Sequence, residues 1–190
     1  MKAKNNMLKP LKIFTMVIFM GITLGGCARI EPQTYANKTP AFAPFEFFNG
    51  KTTAKGVLQG RNGEVKRRFI ADIVGEIKAA PGGGEKHLEL REEFRFDDGE
   101  VQHRTWIIRK TGEHDYIGTA GDVVGEAIGK TSGNTMNLRY VLRIPVDGTT
   151  YDIRMDDWMY MIDEKTVMNL TDLSKFGFGL GRLSLVIYRE

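Results

Sequence analysis

The chain has 190 residues, 27 Lys and Arg against 24 Asp and Glu, and one cysteine. That length suits a single domain with a sizeable core, and a lone thiol excludes both an internal disulfide and a multi-cysteine metal site. The formal net charge of +3 is concentrated at the N-terminus, where Lys2, Lys4, Lys9 and Lys12 stand without an acidic residue among them.

These lysines lead into the apolar run from Ile13 to Leu24, the charged and apolar regions of an export leader. A run of roughly 12 residues is too short for a hydrocarbon core that needs about 20. Leu24-Gly25-Gly26-Cys27 resembles the lipobox of bacterial lipoproteins, in which the Cys is acylated, with palmitate-type chains, and the peptide before it is removed. Residues 1–26 are therefore read as a cleaved signal peptide and Cys27 as the lipid-attachment site. The several acyl chains of such a modification suffice for stable anchoring. Ala28 after the Cys, rather than Asp, implies by the same resemblance sorting to the outer membrane, with the domain facing the periplasm. Without the leader, residues 27–190 carry 23 basic against 24 acidic side chains, a net of −1. That leaves no electrostatic footprint for nucleic acid.

Residues 27–44 contain Pro32, Pro40 and Pro44 among polar residues. They read as a lipidated tether reaching at most about 50 Å at ~3.1 Å per residue. The barrel domain is expected over 45–190, with Phe47 and Phe48 as its first core residues.

From there the hydrophobic period is two. Leu88, Leu90, Phe94 and Phe96 alternate with polar residues, and Met136, Leu138, Tyr140, Leu142 and Ile144 do the same, the pattern of half-buried strands. Asn62-Gly63, Asp98-Gly99 and Asp147-Gly148 lie between such runs and suit tight two-residue hairpin loops. With Asp98-Gly99 as the loop, Phe96 faces Val101 and Glu93 faces Arg104 on the outer side. With Asp147-Gly148, Arg143 faces Asp152 and Arg139 faces Asp156. Opposite charges meet in each pairing, which supports the registers at ~0.2–1 kcal/mol per pair.

The same registers point Arg67 inward in the first hairpin, Glu92, His103 and Thr105 in the second, and Tyr140, Met155 and Asp157 in the third. Trp106 and Trp158 fall on the outer face. Charges are almost never buried unpaired, so Arg67, Glu92, His103 and Asp157 should meet one another, water or a ligand.

Gly121, Gly125, Gly129 and Gly133 recur every four residues, which on a bent strand pair keeps them on one face and relieves crowding. Gly177 to Gly181 reads as a turn into a last strand over 183–188, and a short helix is expected over 172–176. Eight to ten sequential strands with short connections predict an all-β fold, an antiparallel meander closed into a barrel, since closure removes exposed edges; a two-sheet sandwich is the alternative.

Several segments resemble the domain-of-unknown-function family 3833 of proteobacterial lipoproteins: Phe48-Asn49-Gly50, Arg67-Arg68-Phe69, Gly118 to Gly125, Gly133-Asn134, Asp156 to Tyr160 and Lys175-Phe176-Gly177. The resemblance covers nearly all of the chain after the leader. It implies a lipocalin-like (calycin) barrel and supplies no catalytic residues.

No catalytic constellation is visible. There is no Gly-x-Ser-x-Gly elbow, and His87, His103 and His114 lack zinc-motif spacing; no cofactor or metal is implied. Three function classes follow. A carrier would take a fatty-acid or lipid-like ligand in a Met- and aromatic-rich lumen, with Arg67, helped by His103, on an anionic head and Glu92, Asp157, Tyr140 and Met155 around it. A structural or assembly lipoprotein would use Trp106 and Trp158 on a protein partner. A small-molecule isomerase or hydrolase would use Glu92 and His103.

Overall fold

The computed structural model describes residues 30–79, 82, 84–146 and 148–190; the signal peptide, Cys27 and Asp147 lie outside the described residues. A 3-10 turn (Pro32–Tyr35) and one helical turn, α1 (Pro44–Phe47), precede ten strands. These are β1 (Gly50–Gly60), β2 (Val65–Ala79), β3 (Lys86–Phe96), β4 (Val101–Lys110) and β5 (Asp115–Thr119), then β6 (Ala127–Ser132), β7 (Thr135–Val146), β8 (Thr149–Asp163), β9 (Thr166–Lys175) and β10 (Phe178–Arg189). Each pairs antiparallel with its neighbour in sequence, and β1 pairs with β10, so the meander closes. The short helix expected over 172–176 is absent: β9 runs to Lys175 and a turn follows.

Alternation of strand direction sorts the connections to two ends. The β2–β3, β4–β5, β6–β7 and β8–β9 connections share one end, which the N-terminal segment plugs. Phe42, Phe47 and Phe48 are buried there, packed edge-on or tilted with centroids 5.0–6.2 Å apart. Each aromatic ring so buried is worth ~1.5–3 kcal/mol. The plug sits tightly because Gly75 has no side chain: a Cβ there would lie 1.7 Å from the Phe48 carbonyl oxygen.

The segment before the plug is packed against the wall. Pro32 is buried, Tyr35 stands 6.2 Å from Trp158 and 5.6 Å from Tyr160, and the Phe42 N–H donates to the Gly133 carbonyl at 2.8 Å. Over its described part, the stretch read as an extended spacer thus runs along the barrel.

The three turns differ in length, and the difference decides which residues face inward. At Val146/Thr149 the loop has two residues and the expected register holds, with Arg143 opposite Asp152 and Arg139 opposite Asp156. At Asn62-Gly63 the loop is three residues, Gly60 N–H donating to Glu64 O, and a bulge between Leu58 and Gln59 restores the expected pairing of Leu58 with Arg67 and Ala54 with Ala71. At Asp98-Gly99 the loop is again three residues, Phe96 N–H donating to Glu100 O, but the ladder runs on without a shift: Arg95 faces Val101, Glu93 faces His103 and Glu92 faces Arg104. The expected register there was one residue out, and a slip of one turns a strand over. Arg104, Trp106 and Ile108 therefore point inward, while Val101, His103 and Thr105 point outward.

Substituting Gly75→Ala should cost roughly 2–4 kcal/mol of stability because backbone must move. The control Gly121→Ala, whose Cβ meets nothing within 4 Å, should stay within about 0.5 kcal/mol; urea denaturation of both variants measures the difference.

Candidate functional site in the barrel lumen

Inward side chains fall into two zones. Near the plug they are fully enclosed: Leu88 is 0% exposed, Met136 1% and Val167 0%. Toward the other end Leu58, Phe94, Phe96, Leu173 and Leu183 are only half-buried, so the barrel opens as a cup between the β1–β2, β3–β4, β7–β8 and β9–β10 turns.

A polar cluster sits at mid-depth. Glu92 on β3 and Arg104 on β4 are directly opposite, with Arg104 Nη1 3.8 Å from Glu92 Oε2. Arg104 also grips Asp122, Nη2 to Oδ2 at 2.8 Å and Nε to both carboxylate oxygens at 2.9 and 3.1 Å. Asp122 lies in the 120–126 loop. That loop continues the wall where β5 and β6 are short, through Val124 N–H to Val141 O and Arg143 N–H to Asp122 O at 2.9 and 2.7 Å. Across the cup Asp157 on β8 accepts from the Asn169 amide, with Thr171 beside it. Tyr140 stands edge-on to Trp106 at 5.3 Å.

Burial dominates the electrostatics. It pushes the Glu92 carboxyl up to about 7, with Arg104 pulling the other way, and Asp157 up to about 6, opposed by the hydrogen bond from Asn169 and by the Thr171 hydroxyl beside it. The Tyr140 phenol is raised well above its ordinary value by burial and by the Asp157 charge. Glu92 Oε2 has no hydrogen-bond partner among the described residues. The cluster thus holds one cation between Asp122, which it grips through three polar contacts, and a carboxyl that gains or loses its proton near neutral pH. Such a site can take an incoming polar group and adjust its charge by one proton.

Glu92, Asp157, Tyr140 and Met155 face the lumen as expected. Arg67 also turns inward, but at the rim: its guanidinium lies 3.7 Å over the Phe96 ring and bonds to Asp98 at 2.8 Å and Glu100 at 2.7 Å. His103 is corrected: it stands on the outer wall, 70% exposed and 3.4 Å from Glu93. Glu92 and His103 are on opposite sides of the sheet and form no dyad. Trp106, expected outside, is buried in the lumen, 5% exposed, whereas Trp158 is outside but half-covered by Tyr35. Arg104, Asp122 and Asn169 were not anticipated. The signal for Arg104 was Asp97-Asp98-Gly99, which suits a three-residue loop with glycine in the left-handed position as well as it suits a two-residue one; Gly99 has φ +88°.

Among the described residues no group of three His, Cys, Asp or Glu could hold a metal ion. A surface groove of about 600 Å³ lies apart from the cluster, on the rim between Gln59–Gly63 and Gly177–Arg182.

A closed ten-strand meander with a plugged end and a cup lined by side chains defines a lipocalin-like barrel protein. The S-type phycobiliprotein lyase CPES from Guillardia theta has a similar barrel: TM-score 0.57 at 14% identity, covering 77% of this chain and 90% of that one. The chain belongs to the family described as protein of unknown function (DUF3833), whose model matches residues 21–189. No curated protein matches it.

The Glu92 shift makes stability depend on pH. The folded carboxyl titrates at about 7 against the ordinary 4.5, so its relative stabilisation is full below 4.5 and is lost as pH rises through 7. Wild type should lose up to about 3 kcal/mol between pH 4.5 and 8 from this group. Glu92→Gln should flatten that part of the profile, measured by urea denaturation at stepped pH.

Proposed function

We propose that this protein is a lipid-anchored envelope lipoprotein of the outer membrane that binds or carries an amphipathic acyl molecule with an acidic head in its cup. The observation that carries the reading is Arg104, an inward cation at mid-depth below half-buried Phe94, Phe96, Leu173 and Leu183. The acyl chain lies along these side chains and Met155 toward the mouth, and the head group meets Arg104 by a charge-assisted hydrogen bond. The nearby carboxyl of Glu92 takes up a proton as the second negative charge arrives, since its affinity for protons already stands near neutrality.

Arg67 is the weaker candidate for the head group because it stands at the rim, over the Phe96 ring, and not at mid-depth below the apolar walls. The phycobiliprotein lyase shares the barrel alone, so the ligand class rests on the side chains of this chain. The anchor rests on the leader and on Leu24-Gly25-Gly26-Cys27. The tether and domain boundaries at 27–44 and 45–190 belong to the same reading.

With a fluorescent polyene fatty acid as probe, Arg104→Met should weaken binding by about 10–100-fold, the worth of one charge-assisted bond. Arg67→Met should change it by less than about fivefold, as for an exposed pair. Retention of affinity in Arg104→Met, with its melting transition intact, sinks the head-group assignment. For the anchor, mass spectrometry of protein from a Gram-negative host should find a mature N-terminus at Cys27 carrying acyl chains, and Cys27→Ser should abolish them; an unmodified Cys27 rejects lipidation.

A further inference from the structure

The turn between β9 and β10 places Phe176 86% exposed and Phe178 71% exposed, with Leu180 at 41%. Phe176 has φ +51°, the left-handed region that non-glycine residues adopt at a cost, and its ring is turned out into solvent. Beside it stands the β7–β8 turn with Val146 47% exposed and Tyr151 38% exposed. The Lys175 ammonium lies 4.4 Å from the Tyr151 ring and 5.4 Å from that of Phe176. Aromatic and aliphatic side chains at a protruding tip, flanked by a lysine whose stem can extend to a polar layer, are what an interface between water and lipid accepts.

The N-terminal segment decides which way this tip points. Tyr35 is at the plugged end, its carbonyl against Gly133, and three residues earlier the chain enters the 3-10 turn from Glu31, whose carboxylate is 3.6 Å from Arg139. Arg139 is four residues up β7 from Thr135, on the way to the open end. Read from Tyr35 back to Glu31, the chain climbs the outer wall from the plug toward the mouth. Cys27 lies four positions before Glu31, a span of at most about 14 Å. A lipid on Cys27 would therefore be held within that distance of Glu31, where an unattached spacer would have allowed about 50 Å.

We propose that the open rim of the barrel, led by Phe176 and Phe178, docks into the same phospholipid leaflet that holds the Cys27 anchor. This orientation rests on the lipoprotein reading above. It turns the cup toward the membrane, so that an acyl ligand passes between bilayer and lumen without crossing water.

The test uses the full-length, lipidated protein. Acylation consumes the Cys27 thiol, and it is the sole cysteine, so Phe176→Cys supplies a single thiol for an environment-sensitive fluorophore; Lys165→Cys, in the turn at the plugged end, is the control. In vesicles of phosphatidylethanolamine and phosphatidylglycerol, the label at 176 should shift to the blue, brighten severalfold and escape quenching by aqueous iodide, while the label at 165 stays water-like. A water-like label at 176, or equal insertion of both, overturns the docking surface. Double labelling of the Phe176→Cys protein would reveal a free Cys27 thiol; that outcome overturns the anchor, and with it the proposal that the rim shares the anchor's leaflet.

Discussion

Closure of the sheet through the β1–β10 ladder, from Thr52 opposite Arg189 to Gly60 opposite Gly181, forces every strand residue either into the lumen or onto the outer wall. A closed sheet has no edge at which a strand could slide to compensate for an extra residue. The chemistry of the cup therefore hangs on turn lengths. The bulge at Leu58/Gln59 absorbs the extra residue of the first hairpin and keeps Phe69, Ala71 and Ile73 inside. The second hairpin has no such correction, and its ladder delivers Arg104 and Trp106 to the lumen.

An arginine inside a barrel has to be matched, because an unpaired buried charge costs several kcal/mol. Here the match comes from two directions: Glu92 on the adjacent strand and Asp122 from the loop that patches the wall beyond β5 and β6. Asp122 is the firmer partner, with three contacts under 3.2 Å. Glu92, left with an unbonded oxygen, is where proton affinity is poised. Asp157 across the cup is likewise raised by burial but is tied down by Asn169. The lumen is thus layered, with an apolar plug of phenylalanines, a polar waist, and aromatic and aliphatic walls opening at the rim.

The N-terminal segment closes one end of the barrel with Phe42, Phe47 and Phe48 and braces the outer wall with Pro32 and Tyr35. Both tasks need glycines opposite it: Gly75 and Gly133 meet the Phe48 and Tyr35 carbonyl oxygens at distances no Cβ could share. Sealing one end leaves the other as the route into the cup, and the two most exposed phenylalanines, Phe176 and Phe178, stand beside that route.

The sequence by itself determined the all-β meander and most of its inward faces, because a period of two and short turns leave few other ways to bury Leu88, Leu90, Met136 and Leu138; closure into a barrel instead of a two-sheet sandwich was decided by the β1–β10 ladder. It also determined that Glu92 and Asp157 would be inward carboxyls, since both lie in register with those apolar residues on their own strands. Tertiary structure alone decided the polarity of β4. Glu92 and Glu93 are adjacent, so Arg104 meets a carboxylate in either register, and charge pairing could not detect a slip of one. Whether an Asp-Gly turn holds two or three residues is settled by the strands it joins. The contribution of Asp122 from a loop, and the docking of residues 30–44 on the wall, depend on surfaces that exist only once the barrel has closed.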